Sequence, residues 1–172
     1  MIRKAAPQDI PAISKIYDRI HAREEQGLTT IGWIRDVYPT EATARAAMEK
    51  GELFVMEENG IILAAAKINK EQDPAYTQAE WTYPCKNQEV MVLHTLVVDP
   101  AISGKGLGTE FVAFYEAYAL ENGCPCLRMD TNARNLAARA LYKKLGYKEV
   151  GIIPCRFNGI PGVNLVCLEK KL

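Results

Sequence analysis

The sequence has no excess of charge of either sign, no long apolar run and only two histidines. Of its 172 residues, 21 are lysine or arginine and 21 are aspartate or glutamate, so the formal net charge is zero. A general nucleic-acid binder is expected to carry a basic excess, and we therefore expect no nucleic-acid partner. The apolar stretches are far shorter than the ~20 residues of a membrane span. The N-terminus also reaches Pro7 and Asp9 before a signal-peptide core could form. We expect a cytoplasmic protein with no membrane association.

Metal-site patterns are lacking as well. The five cysteines are Cys85, Cys124, Cys126, Cys155 and Cys167. Cys124 and Cys126 form a C-x-C pair instead of C-x-x-C, and no second pair follows at the spacing of a zinc site. We therefore expect no metal. An odd number of cysteines without a signal peptide is typical of reduced thiols.

The composition and patterning are those of one globular domain, spanning residues 1–172. Hydrophobic residues make up 48% and charged residues 24%, which is ordinary for a folded protein and argues against disorder. The predicted strands are 2–4, 53–56, 61–68, 89–98, 126–131, 147–153 and 163–168. The predicted helices are 9–23, 40–50, 107–118 and 135–145. This order predicts an α/β fold with a sheet of mixed direction.

The segment from Leu93 to Thr109 carries the clearest functional signal. A buried strand runs into a loop that contains Gly104, Gly106 and Gly108, and the loop opens directly into a helix. Glycines let backbone N–H groups turn inward, and a helix N-terminus adds partial positive charge, so the loop suits a pyrophosphate. It matches neither the Walker pattern nor the G-x-G-x-x-G dinucleotide pattern. Glycines that only permit a tight turn are the alternative.

A second segment, 135–147, points to the same chemistry. Asn135 and Tyr142 are seven residues apart, or about two helical turns, so both face the same side of a helix. An amide and a phenol beside the small Ala138 would form a narrow polar groove. The alternative for Tyr142 is a packed aromatic ring with a solvated hydroxyl.

Together these segments resemble the GCN5-related N-acetyltransferase (GNAT) superfamily. The resemblance covers essentially the whole chain, and its specific part is Val98-Asp99-Pro100, Gly104-Lys105-Gly106-Leu107-Gly108, Asn135 to Tyr142 and Leu145-Gly146-Tyr147. It implies a single-domain α/β (α+β) GNAT-like fold with a central mixed, mostly antiparallel twisted sheet and about four helices. It also implies an N-acetyltransferase that uses acetyl-CoA and a primary amine, in a small molecule or a peptide.

The resemblance assigns roles to individual residues. Those assigned to the cofactor are Leu96, Val97, Val98, Gly104, Lys105, Gly106, Leu107, Gly108, Thr109, Asn135 and Tyr142. The first three match the strand end beside the pantetheine arm and the thioester carbonyl, and the next six match the pyrophosphate loop. Family members commonly carry Arg or Gln where this chain has Ser103, which removes one side-chain contact. Asn135 matches a residue that contacts the cofactor arm, and Tyr142 matches the phenol that protonates the departing thiolate.

The general base has two candidates in the sequence. An amine with a pKa of ~10.4 must lose a proton before it attacks, which costs ~4.6 kcal/mol at pH 7. Many family members place an acidic residue six positions before the proline of the motif, where this chain has His94, whose ordinary pKa suits a base. Glu89 is the other candidate. The two lie on opposite faces of a regular strand unless a bulge intervenes. Water is a third choice, and a purely structural role is the alternative for each residue.

The acceptor is not identified by the sequence. We expect its recognition by the first two helices, their connection and the long 71–88 loop. The aromatic residues there, which either wall a pocket or pack the loops down, are Trp33, Tyr38, Tyr76, Trp81 and Tyr83. Since no cysteine occupies a nucleophilic position, we expect direct transfer in a ternary complex. The alternative function is a non-catalytic acyl-CoA sensor. Both a monomer and a homodimer are compatible with the sequence.

Overall fold

The chain is built on one sheet with helices on both faces. The structure is a computed structural model that describes residues 1–102 and 104–172, and within them seven strands and four α-helices form. The strands are β1 (Ile2–Lys4), β2 (Leu53–Glu58), β3 (Ile61–Asn69), β4 (Val90–Val98), β5 (Cys126–Asn132), β6 (Lys148–Phe157) and β7 (Ile160–Lys171). The helices are α1 (Ile10–Glu25), α2 (Glu41–Glu49), α3 (Leu107–Glu121) and α4 (Leu136–Lys144). Each helix and strand predicted from the sequence is present.

The strand order is β1-β2-β3-β4-β5-β7-β6. Among the described residues, β4 and β5 form the only parallel pair, and all other neighbours are antiparallel. Helix α1 packs on one face through Ile10, Ile13 and Ile16, and α3 packs on the other through Phe111 and Tyr115. These side chains fall on the stripes that helical periodicity predicts. The predicted mixed, mostly antiparallel sheet is confirmed.

The hairpin of β6 and β7 is longer than the sequence analysis predicts. Its turn is Asn158-Gly159, with φ of 51° and 78°, nearly the geometry of Asn59-Gly60 in the β2–β3 turn. An Asn-Gly pair with two positive φ angles is the usual two-residue hairpin turn. The signal was therefore present in the sequence, but Pro154 and Pro161 interrupt the strand pattern on either side of it.

The 71–88 loop packs against the sheet. It contains two short 3₁₀ helices, Pro74–Gln78 and Asn87–Glu89. Trp81 Nε1 donates to the Tyr76 carbonyl at 2.8 Å, and the Thr82 backbone N–H donates to the buried carboxylate of Glu169 at 2.8 Å. The loop is thus held in one conformation beside β5 and β7.

Cysteine pairing differs from the prediction. Cys85 in the 71–88 loop is joined by a disulfide to Cys126 of β5, whereas Cys124, Cys155 and Cys167 are free. The expectation of five reduced thiols is wrong for Cys85 and Cys126, because the folded loop brings together these two cysteines, which are 41 residues apart in the chain.

Within the described part of the chain, no helix is both long and apolar enough to cross a membrane. The cytoplasmic location, the absence of a nucleic-acid partner and the oligomeric state stay predictions.

Candidate active site

Strands β4 and β5 pair at one end and separate at the other. Their pairing joins Val90–Leu93 to Cys126–Met129 and then stops. Just beyond it, Thr95 has a φ of 53°, which a β-branched residue rarely adopts, and the register between β3 and β4 shifts there. This bulge bends β4 away from β5. Among the described residues, the side of the Leu96–Val98 backbone that faces β5 therefore has no strand partner.

A cavity of about 840 Å³ extends through this gap. Its volume lies in the range of small-molecule sites, roughly 300–1,000 Å³. Sequence-predicted residues that line it are His94, Leu96, Val97, Val98, Asn135 and Tyr142. The structure thus brings the strand end and the helix α4 residues to one site, as the two motifs predict.

The glycine-rich loop lies at the start of α3. Gly104 and Gly106 have φ of 88° and 77°, and a Cβ on either would meet no atom within 4 Å. Their backbone therefore faces open space at the N-terminus of a 15-residue helix. Lys105 is exposed between them. The first N–H groups of a helix have no partner within the helix and bind phosphate readily, so the residues present fit a pyrophosphate.

The remaining loop residues form the first turn of α3. Leu107 and Gly108 are half-buried and Thr109 is exposed. A Cβ on Gly108 would make an ordinary van der Waals contact with Leu141 of α4 at 3.4 Å, so α3 and α4 lie close together at this residue. Ser103, where the sequence departs from the family pattern, lies outside the described residues.

Asn135 and Tyr142 line the cavity from α4. Asn135 begins the helix, and its Oδ1 accepts a hydrogen bond from the Ala138 N–H at 3.2 Å. The ring of Tyr142 is buried, and among the described residues its hydroxyl has no hydrogen-bond partner. Burial and then the charge of Asp130 raise the pKa of Tyr142 above its usual range, so the phenol stays protonated. It is an available donor at the cavity wall.

The two predicted bases are placed differently. Glu89 ends a 3₁₀ helix just before β4, does not line the cavity, and accepts a hydrogen bond from the Lys86 N–H at 2.8 Å. The structure does not bring Glu89 to the site. His94 does line the cavity, and its Nε2 lies 2.8 Å from Asn69 Oδ1. Burial and then the charge of Lys67 lower the pKa of His94 to about 4, so the imidazole no longer has the pKa that suits a base at neutral pH.

Asp130 of β5 is a cavity residue that the sequence analysis missed. Its Oδ2 accepts a hydrogen bond from the Tyr76 hydroxyl at 2.6 Å. Burial raises the pKa of the Asp130 carboxyl to about 7, Tyr76 lowers it, and the nearby charge of Asp73 raises it. The sequence signal for this residue was a single carboxylate near the end of the predicted apolar strand, 126–131. We predicted that strand as core and assigned it no chemistry.

Some of the five aromatic residues wall the pocket and the others pack the loops down, which are the two roles that the sequence left open. Trp33 and Tyr38 line the cavity. Tyr76, Trp81 and Tyr83 do not line it and pack with the β5–β7 part of the core. Among the described residues, none of the cysteines lines the cavity and no group of three or more His, Cys, Asp or Glu side chains is placed to hold a metal.

Comparison with known proteins gives a consistent family. A model of the acetyltransferase (GNAT) family matches residues 16–147. The uncharacterized N-acetyltransferase YhfO of Bacillus subtilis (strain 168) is 28% identical over 150 residues, which cover 86% of this chain and 89% of YhfO.

Two solved structures share the fold. An acetyltransferase of the GNAT family from Streptococcus agalactiae 2603 has a TM-score of 0.79 at 22% identity, covering 100% of this chain and 95% of that one. YncA from Salmonella typhimurium, solved with its cofactor acetyl-CoA, has a TM-score of 0.72 at 21% identity, covering 100% of this chain and 93% of that one.

The Tyr76–Asp130 hydrogen bond gives a direct test of the site's electrostatics. We expect the Asp130 carboxyl to titrate near pH 7, and Tyr76→Phe to move that titration up by about one pH unit because the bond stabilises the ionised form. Carboxyl ¹³C NMR titration measures both. Tyr83→Phe, in the same loop, should change nothing. Titration of Asp130 below pH 5 in the unaltered protein would contradict the assignment.

Proposed function

The chain belongs to the acetyltransferase (GNAT) family, and we propose that it is an N-acetyltransferase that moves the acetyl group of acetyl-CoA directly to a primary amine. One observation carries the proposal. The gap between β4 and β5 holds a protonated phenol and a carboxyl tuned to neutral pH in the same cavity. A carrier or sensor of acyl-CoA needs neither group.

The residues that would hold acetyl-CoA are those of the glycine-rich loop and the cavity wall. The N–H groups around Gly104 and Gly106 suit the pyrophosphate. The side of the Leu96–Val98 backbone that faces β5 suits the arm and the thioester carbonyl, and Asn135 lines the same cavity. When bound, acetyl-CoA supplies an activated acetyl group on a thiol leaving group. The fold shared with YncA, which was solved with acetyl-CoA, supports this donor.

Asp130 is the general base in this proposal. An amine arrives largely as an ammonium ion, and a carboxyl with a pKa near 7 is ionised in about half of the molecules at neutral pH. Ionised Asp130 first removes a proton from the ammonium ion, and the neutral amine then forms the C–N bond. The nitrogen loses its second proton to solvent as the C–S bond breaks, Tyr142 gives its proton to the sulfur, and solvent then restores both side chains. The N–H groups of Leu96–Val98 would polarise the carbonyl.

Transfer in this proposal needs no acyl-enzyme step. The three free cysteines lie outside the cavity lining, and Cys85 and Cys126 are bonded to each other. His94, with a pKa of about 4, is ionised in few molecules at neutral pH and is a weak proton acceptor there.

The base assignment predicts a pH dependence. Asp130 must be ionised to accept a proton, so kcat/KM should rise with pH through about 7 and then level. Asp130→Asn should lower kcat/KM by about 100-fold at pH 8 and remove this limb. His94→Gln should keep the limb, because its pKa lies far below it. Loss of the limb in His94→Gln alone would transfer the role to His94.

The acid assignment predicts a change in rate without a change in binding. Tyr142→Phe should reduce kcat by about 100-fold. This is the lower end of the rate contribution of a general acid or base, because a thiolate leaves readily even without a proton. Affinity for acetyl-CoA should change little. Tyr17→Phe is the control, since Tyr17 is also a buried tyrosine without a hydrogen bond but does not line the cavity. An unaltered kcat in Tyr142→Phe would remove the acid role and favour a sensor.

Acetyl-CoA binding itself is tested by isothermal titration, with ATP and NAD as comparison ligands. We expect selective binding of acetyl-CoA and its loss in Gly106→Val, whose branched side chain would occupy the space above the loop. Gly60→Val is a matched control, because Gly60 has a φ of 78° and equally open surroundings in a distant hairpin turn. No binding by the folded protein would refute the donor, and equal affinity in the two variants would refute the loop assignment.

A further inference from the structure

The segment between α1 and α2, residues 27–39, covers one side of the cavity. The residues it contributes to the lining are Thr29, Ile31, Gly32, Trp33 and Tyr38. The rings of Trp33 and Tyr38 pack edge to face at 6.1 Å, and the Tyr38 hydroxyl hydrogen-bonds to Thr95 Oγ1 at the bulge of β4. The segment therefore reaches into the gap between β4 and β5.

Glu24 at the end of α1 holds the segment in place. One carboxylate oxygen accepts hydrogen bonds from Thr29 Oγ1 at 2.7 Å and from the Ile31 N–H at 2.9 Å. The other accepts from the Gly32 N–H at 2.7 Å. Hydrogen bonds to a charged carboxylate are among the stronger ones in proteins, so these contacts fix the backbone of residues 29–32 over the cavity.

The far side of the segment contacts the opposite wall. Thr30 Oγ1 donates to the Arg134 carbonyl, in the β5–α4 connection, at 2.7 Å. Gly32, with a φ of 83°, lies so close to β5 that a Cβ there would collide with Asn132 Nδ2. Val37 packs at the β6–β7 turn, where its Cγ1 would be 3.4 Å from a Cβ on Gly159. The segment thus bridges α1 to β5 and to the β6–β7 hairpin.

Ion pairs also connect α2 and β3 to the 71–88 loop at the rim of the cavity. Lys50 at the end of α2 pairs with Glu71 of the 71–88 loop at 3.6 Å. Lys67 of β3 pairs with the same carboxylate at 3.4 Å, and all three residues line the cavity. These contacts cross the rim between α2 and the loop.

From these contacts we propose that the acceptor is a small free amine enclosed within the cavity, and that the 27–39 segment excludes peptide and protein chains. This inference rests on the proposed acetyl transfer. The segment and its contacts with β5 and the β6–β7 turn cover one side of the cavity, so a peptide that extended in that direction from an amine at Asp130 would collide with them. Ile31, Trp33 and Tyr38 of the segment give this side of the lining an apolar and aromatic surface, which suits an amine with a compact apolar body.

The test compares matched acceptors that carry the same amine. One pair is phenylalaninamide and a tetrapeptide of phenylalanine followed by three glycines. The other is cadaverine and a lysine inside an N-acetylated glycine peptide. Release of CoA thiol gives kcat/KM for each. We expect the small member of at least one pair to be favoured by about tenfold or more. Peptides used as well as their small counterparts would overturn the inference while leaving acetyl transfer intact.

Two glycine variants test the role of the segment. Gly32→Ala should displace the Asn132 side chain, whose Oδ1 accepts a hydrogen bond from the Arg134 N–H, and so loosen the contact between the segment and β5 and reduce the preference for the small amine by about tenfold. Gly27→Ala is the matched control, because Gly27 has a φ of 71° in the same segment and a Cβ there meets nothing within 4 Å. Thr30→Val, which loses only the bond to Arg134, should act in the same direction and guards against a folding defect in Gly32→Ala. Equal preferences in Gly32→Ala and Gly27→Ala would overturn the inference.

Hydrogen exchange provides a readout that needs no substrate. The Ile31 and Gly32 amides, bonded to Glu24, should exchange slowly in the unaltered protein and in Gly27→Ala, and faster in Gly32→Ala. Rapid exchange in the unaltered protein would show an open cavity and refute the inference. If acetyl-CoA binds but no amine in the panel reacts, hydrogen exchange alone tests whether the segment is fixed over the cavity. If acetyl-CoA does not bind, the proposed function itself fails.

Discussion

The site depends on one distortion of the backbone, the bulge at Thr95 in β4. A β-branched residue at a φ of 53° is strained by about 1–3 kcal/mol, and the surrounding structure must hold it there. The hydrogen bond between Thr95 Oγ1 and the Tyr38 hydroxyl is one of the contacts that do so. Without the bulge, β4 and β5 could continue to pair, and the parallel sheet would fill the space that is now the cavity. The open backbone at Leu96–Val98 and the access to Asp130 both follow from the separation.

Burial favours the neutral form of three groups in the gap. It raises the pKa of Asp130 and Tyr142 and lowers that of His94, because removing a group from water disfavours its charged form. The same effect acts on an amine that enters the cavity. Its neutral, nucleophilic form is favoured there, which offsets part of the cost of deprotonation. The cavity thus needs no strong base, and a carboxyl with a pKa near 7 is sufficient.

Local patterns predicted the fold well, and long-range contacts account for what they missed. The glycine-rich loop and the seven-residue spacing of Asn135 and Tyr142 are properties of a loop and a helix, so the sequence shows them directly. Asp130 acquires its properties from burial, from Tyr76, 54 residues away, and from the charge of Asp73, none of which the local sequence shows. Glu89 lies outside the cavity lining because it precedes the end of β4 that is paired with β5, whereas the cavity opens at the other end of that strand. The Cys85–Cys126 bond likewise depends on where the 71–88 loop docks.

The two proposals, an enclosed acceptor and Asp130 as the base, depend on the same walls. Burial raises the pKa of the Asp130 carboxyl, and both the 71–88 loop and the 27–39 segment line the cavity that it faces. A wider groove would expose the carboxyl to more water and return it toward its ordinary pKa of about 3.9, where it is a weak base. In the proposed mechanism, the walls that shield Asp130 therefore also limit the size of the acceptor. The bonds that Glu24 makes to the 27–39 segment, remote from the reacting atoms, thus contribute to both properties at once.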